Sequence, residues 1–233
     1  MSESMQSWDP RGAPVTTLQE MAAALLPLRE AEILSLTAAP GDIAPGIAAM
    51  MKSAVVTVLE TAGVTEDPPP LSNLIYKSGE ADRLDEADES FDIVMVNGAL
   101  SRTPEDRMPG VLREVRRVLR PGGLAYVLEP VFGGAFNEIQ RVFLDEKQAR
   151  LAAFEAIRDA VASGAMTLIS QKFFQVPLAL ADFAMVEKGF VPPAHRISGA
   201  QRAEAQKKFD RHKGPKGAVF QVPMRVDLLQ KSD

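Results

Sequence analysis

The sequence contains no cysteine, which excludes disulfide bridges and thiolate chemistry. It holds two histidines, His195 and His212, too few for most histidine-based metal sites. It lacks any uncharged apolar run of about 18 residues, so no segment reads as a membrane-spanning helix. The opening MSESMQSWDP lacks the basic and apolar regions of a signal peptide. Together these absences lead us to expect a cytoplasmic protein. Positive charge is not in excess: 26 basic residues face 31 acidic ones, a net charge of −5, which argues against nucleic acid as the main partner. What is present is enough apolar content, 46% of 233 residues, for one large domain. There are no internal repeats and no low-complexity segments.

Residues 1–15 carry Trp8, Pro10, Gly12 and Pro14 and read as an irregular tail. Thr16 or Thr17 can cap a helix running to about Glu30, with Glu20 completing a capping box on Thr17. Pro27 would kink or end that helix. Short apolar segments then alternate with helices. The expected strands are Ile33–Leu36, Ala54–Leu59, Leu74–Tyr76, Phe91–Val96 and Leu124–Leu128, with a helix over Asp42–Met51. Strands that are apolar on both faces and separated by helices imply an α/β fold with a doubly wound, mostly parallel sheet.

Arg107–Arg120 is the clearest helix, because Val111, Leu112, Val115, Val118 and Leu119 form one stripe and Pro121-Gly122-Gly123 follows. Residues 134–163 show a second helical pattern. We read 131–177 as a helical cap insert over the carboxyl ends of the strands, within a single domain spanning 1–233. Leu178–Lys188 reads as a further helix, and Val219–Leu229 alternates as a last strand in which Pro223 predicts a bulge or a local loss of pairing.

Ile33–Thr37 enters a turn, Ala38-Ala39-Pro40-Gly41-Asp42, at a helix start, where backbone N–H groups can face a ligand. This strand and turn, Gly79-Glu80-Ala81 with Phe91-Asp92-Ile93-Val94, and Leu112–Gly123 ending in Arg-Pro-Gly-Gly stand in a familiar order. They resemble the class I S-adenosylmethionine-dependent methyltransferases, in particular the small-molecule branch that includes quinone-biosynthesis enzymes. The resemblance implies a seven-stranded Rossmann-like sheet with an antiparallel last strand beside the fifth. It implies S-adenosylmethionine as cofactor, with Ser35, Thr37, Ala39 and Gly41 around its amino-acid end. It places Glu60, at the close of the second strand, on the ribose, Glu80 by the adenine amino group and Asn97 near the methyl group.

The chain departs from that pattern in three places. Ser35 stands where the family carries an acid, Thr37 replaces a glycine, and Ser101-Arg102 follows the fourth strand where some relatives carry a histidine pair. These departures predict weakened or lost cofactor binding, and no catalytic base can be named. Arg102 could meet an acidic substrate, although an exposed loop arginine needs no ligand. The basic run Lys207–Lys216 reads as a solvated loop. Three functions follow: methyl transfer to a small molecule, a catalytically inactive methyltransferase-fold subunit bound to a protein partner or a second copy, and RNA methylation.

Overall fold

The computed structural model describes residues 5–7, 12–37, 43–51, 54–60, 71–191 and 195–232. The turn expected over 38–42 and residues 61–70 lie outside the described residues. Helix α1 (Leu18–Leu25) starts at Thr17, whose hydroxyl accepts from the Glu20 N–H while the Glu20 carboxylate accepts from the Thr17 N–H. It ends at Leu25 rather than near Glu30, since Pro27 cannot continue it.

Strand β1 (Glu32–Thr37), helix α2 (Ala44–Met50) and strands β2 (Val55–Glu60), β3 (Leu74–Ser78) and β4 (Phe91–Asn97) follow. A 3-10 turn at Glu105–Arg107 leads into helix α3 (Met108–Val118). The helix is therefore shorter than its sequence pattern suggests. Leu119 is already extended and pairs with Phe91, so Arg-Pro-Gly-Gly lies inside strand β5 (Leu119–Pro130). The glycines serve a bulge there: the register shifts between Phe91 and Ile93, Gly122 has φ +73°, and a Cβ on Gly123 would sit 2.9 Å from the Arg120 carbonyl.

Helices α4 (Gly134–Gln140) and α5 (Lys147–Ala162) confirm the second helical region. The cap insert does not stay helical to residue 177, because strand β6 occupies Met166–Leu180. The helix expected over Leu178–Lys188 is likewise displaced to α6 (Phe183–Phe190). Helix α7 (Gly199–Asp210) contains the first part of the basic run expected as a loop. Strands β7 (Lys213–Gly214) and β8 (Gly217–Lys231) complete the chain.

The sheet order is β3-β2-β1-β4-β5-β8-β6, with β7 pairing off the path onto β8. The first five are parallel, and β8 runs antiparallel between β5 and β6. Ile33, Val56, Met95 and Tyr126 pack with α1 and α2 on one face. Leu34, Leu36, Val94 and Val96 pack with α3 and α5 on the other. Both β6 and β8 overrun the sheet. Their extension packs with α4, α6 and α7 in a separate cluster built on Phe136, Phe183, Phe209 and Phe220.

Pro223 sits where this extension leaves the sheet. Its pairing with Gln175 on β6 is unbroken, and the bulge lies elsewhere, between Leu168 and Ser170. The ladder to β5 ends beside it at Pro130–Met224. The Val131 N–H donates to the Pro223 carbonyl, and the Val131 carbonyl, which proline cannot serve, accepts from Arg150 Nη1 at 3.2 Å. The tail is partly anchored as well: Val15 forms a parallel bridge to Gln175.

Candidate active site

Strand β1 lies between β2 and β4, so the chain crosses over in opposite directions on its two sides. The connections leave the paired carboxyl ends of β1 and β4 on opposite sides there, which makes room for a crevice. A cavity of about 190 Å³ occupies it. Thr37, Asn97, Ser101 and Arg102 contribute its polar wall from the strand ends and the loop after β4. Leu18 of α1, Ile43 and Leu128 supply apolar wall, and the cap closes it with Phe136, Asn137, Gln140, Val222 and Met224. An apolar wall with a few convergent polar groups is the usual make-up of a small-molecule site.

Two of the residues expected around the cofactor's amino-acid end can be placed. Ser35 is fully buried below the crevice, and its hydroxyl accepts from Asn97 Nδ2 at 2.8 Å. Thr37 is buried and lines the cavity, as does Asn97. Ala39 and Gly41 lie outside the described residues. Glu60 ends β2 in register with Thr37 on one side and Ser78 on the other, so its backbone stands at the same edge of the sheet as the cavity. Glu80 is drawn toward a neighbouring cation: its Oε2 accepts from Arg107 Nη2 at 2.7 Å, while Arg83 approaches the same oxygen at 3.7 Å. Arg107 also grips Asp82, and that bond holds the Asp82 carboxyl below the usual carboxylate range.

The loop after β4 is held from beneath. Glu129, 2% exposed, accepts from the N–H groups of Leu100 and Ser101 at 3.1 and 3.2 Å and from the Ser101 hydroxyl at 2.5 Å. Burial pushes its carboxyl up, against the pull of those donors. Gly98, with φ +63°, makes the turn out of β4 that brings the loop over the strand ends.

Arg150 was not foreseen as a site residue. It lines the cavity from α5, donating to Glu146 at 2.6 Å and to the side-chain Oδ1 of Asn137 at 3.2 Å. Its signal is in the sequence: Arg150 shares a helical stripe with Ala153, Phe154 and Ile157, all buried, and a charge on a buried stripe calls for a partner. The ionisable residues among those lining the cavity are Arg102, Glu146 and Arg150. Neither histidine is among them, and His212 instead packs on Phe220 with ring centroids 5.2 Å apart. Among the described residues no acidic and histidine cluster could hold a metal ion, and no helix is long and apolar enough to cross a membrane.

Residues 43–127 match the family model described as a methyltransferase domain. The match begins just past residues 38–42 and ends within β5. A demethylmenaquinone methyltransferase of Chlorobaculum parvum is 34% identical over 107 residues. That alignment spans 44% of this chain and 42% of the relative, so the chain matches less than half of the relative's length. Among solved structures, a candidate methyltransferase from Bacillus halodurans superposes with a TM-score of 0.60 at 16% identity, covering 91% of this chain and 97% of its own. The YcgJ protein of Bacillus subtilis does so with a TM-score of 0.60 at 14% identity, covering 92% and 98%. A protein named as a cyclase, SpnF, also shares the fold, with a TM-score of 0.59 at 16% identity over 92% of this chain and 79% of its own. Residues 43–127 thus carry a methyltransferase domain, and the chain shares the fold of these solved structures.

Proposed function

We propose that the chain binds S-adenosylmethionine in the β1–β4 crevice and passes its methyl group to a small molecule held under the cap. The observation that carries this reading is the cavity itself: apolar walls and polar side chains from the strand ends converge where the strand order reverses, within a chain that carries the matched domain. The donor set fits the cofactor. Thr37 and Asn97 offer polar atoms at the two strand ends, and the sheet edge formed by Glu60 and Ser78 continues the crevice toward the ribose and adenine positions. Glu60 is the residue for the ribose hydroxyls and Glu80 the one for the adenine amino group, with Arg107 sharing the Glu80 carboxylate.

When bound, the cofactor supplies a sulfonium methyl that a nucleophile attacks in line. The chain's own part is placement and exclusion of water. Phe136, Val222 and Met224 close the cavity from above, and Ser101 and Arg102 face it from a loop that Glu129 holds rigid. No histidine supplies a base to this cavity, and Glu146 is engaged by Arg150. The reading therefore favours an acceptor that is already nucleophilic, with the rate gained from proximity and alignment.

Calorimetry with S-adenosylmethionine and with S-adenosylhomocysteine tests the reading. We expect one saturable site for each, and about tenfold or greater weakening in Glu60→Gln, since charge-assisted bonds to ribose contribute about 1.5 kcal/mol or more apiece. Absence of binding for both compounds would overturn it and leave the inactive-subunit reading.

A further inference from the structure

We propose that a second pocket, between the end of β5 and the first turn of α5, is a carboxylate subsite that fixes the acidic end of the acceptor. The assignment of that acid to an acceptor rests on the methyl-transfer reading. The pocket encloses about 190 Å³ and shares Pro130, Val131 and Arg150 with the main cavity. The two pockets therefore adjoin across Val131.

Two buried guanidinium groups frame it with unmet hydrogen-bonding capacity. Arg225 is 4% exposed and lines the pocket. Its Nε bonds Asp227 at 2.7 Å, its Nη1 has a long 3.5 Å contact to the Ser7 carbonyl, and its Nη2 is buried without an acceptor. The guanidinium lies over the Phe154 ring with Cζ 4.6 Å from the centroid, which fixes its plane. The Arg150 side chain is 9% exposed, and its Nε also lacks an acceptor. Buried donors left unpaired are costly, so two on adjoining arginines at one pocket mark a place for an acceptor that the described residues do not supply.

Charge selects the class of ligand. Asp227 and Glu146 each pair with one arginine, and Glu129, whose carboxyl burial pushes up, faces both arginines while its oxygens accept from Leu100 and Ser101. Lys147, at the rim over Phe132, adds a positive charge at the mouth. A carboxylate matches that charge and the flat fork of a guanidinium better than a phosphate dianion does. Phe132, Val131 and Leu151 are apolar neighbours suited to a hydrocarbon body, aromatic or branched.

The test uses benzoate and its uncharged analogue benzamide, titrated by NMR and calorimetry into the full chain. We expect saturable benzoate binding and at least tenfold weaker binding of benzamide. Arg225→Lys retains a cation for Asp227 but removes Nη2, and should weaken benzoate about tenfold. Lys147→Gln, at an exposed position, should weaken it severalfold, which keeps the test open if Arg225→Lys fails to fold. S-adenosylmethionine affinity is measured alongside and should stay within twofold in both variants. Benzoate and benzamide binding equally, or benzoate unaffected by both substitutions, overturns the subsite. Selective benzoate binding without cofactor binding would leave the subsite standing and defeat the methyl-transfer reading instead.

Discussion

At the scale of single residues, Ser35 carries the sharpest prediction. It is fully buried and accepts from Asn97. Ser35→Asp would place a carboxylate there with little solvent, at a cost of about 3 kcal/mol in the free protein. A bound cofactor's ammonium would offset that cost through Coulomb attraction in a partly dry site. The expected outcome is a lower thermal midpoint than wild type without ligand and a larger ligand-induced rise with S-adenosylmethionine. A midpoint lowered equally with and without cofactor would separate Ser35 from the binding site. The residues at strand ends were legible in the sequence because a parallel sheet delivers its ligand-facing groups at the ends of apolar runs: Thr37 and Asn97 are such residues. Arg150, Asn137 and Gln140 were not, because the cap brings them to the cavity from far along the chain. The pairing of Glu80 with Arg107 was not legible either, because it depends on a turn 27 residues later.

Among the elements, α1 and the start of β8 are the most exposed to single changes. Thr17→Ala removes the capping box and should cost about 1 kcal/mol, read in chemical denaturation. Because Leu18 lines the cavity one residue later, cofactor affinity should fall with it. Gly217 has φ +102°, and a Cβ there would lie 2.3 Å from the Leu180 carbonyl. Gly217→Ala should therefore cost at least about 2 kcal/mol and loosen the cap cluster before the sheet, a sequence of events that hydrogen exchange resolves. The buried parallel strands were readable as continuous apolar runs. Strand β6 was not: it is an edge strand of mixed exposure whose last residues, Leu178-Ala179-Leu180, are helix formers, and pairing with β8 decides for the extended form. Helix α7 was missed because it has few apolar residues and buries only Ala205 and Phe209.

For the molecule as a whole, pH should act on stability from two sides. Asp82 and Glu114 are held below the usual carboxylate range by bonds from Arg107 and Arg117. Their contribution is complete above the ordinary carboxylate value and is lost as pH falls through their lowered folded values. Glu129 is shifted the other way by burial, so its contribution is complete below the ordinary value and is lost as pH rises through the raised one. Thermal midpoints should climb from strong acid into the carboxylate range and then decline. Glu129→Gln should flatten the decline while leaving the acid limb in place, and an unchanged decline would show that another group causes it. The paired overrun of β6 and β8 has a mechanical consequence. The cap is carried on a two-stranded beam continuous with the sheet, clamped by β5 as far as Met224 and unclamped on that side beyond Pro223. Met224 and Val222, which flank that point, both line the cavity. Flexing of the beam at its clamp would therefore change the volume above the strand ends without breaking a rung between β6 and β8, so the cavity can breathe as a cantilever does rather than open on a hinge.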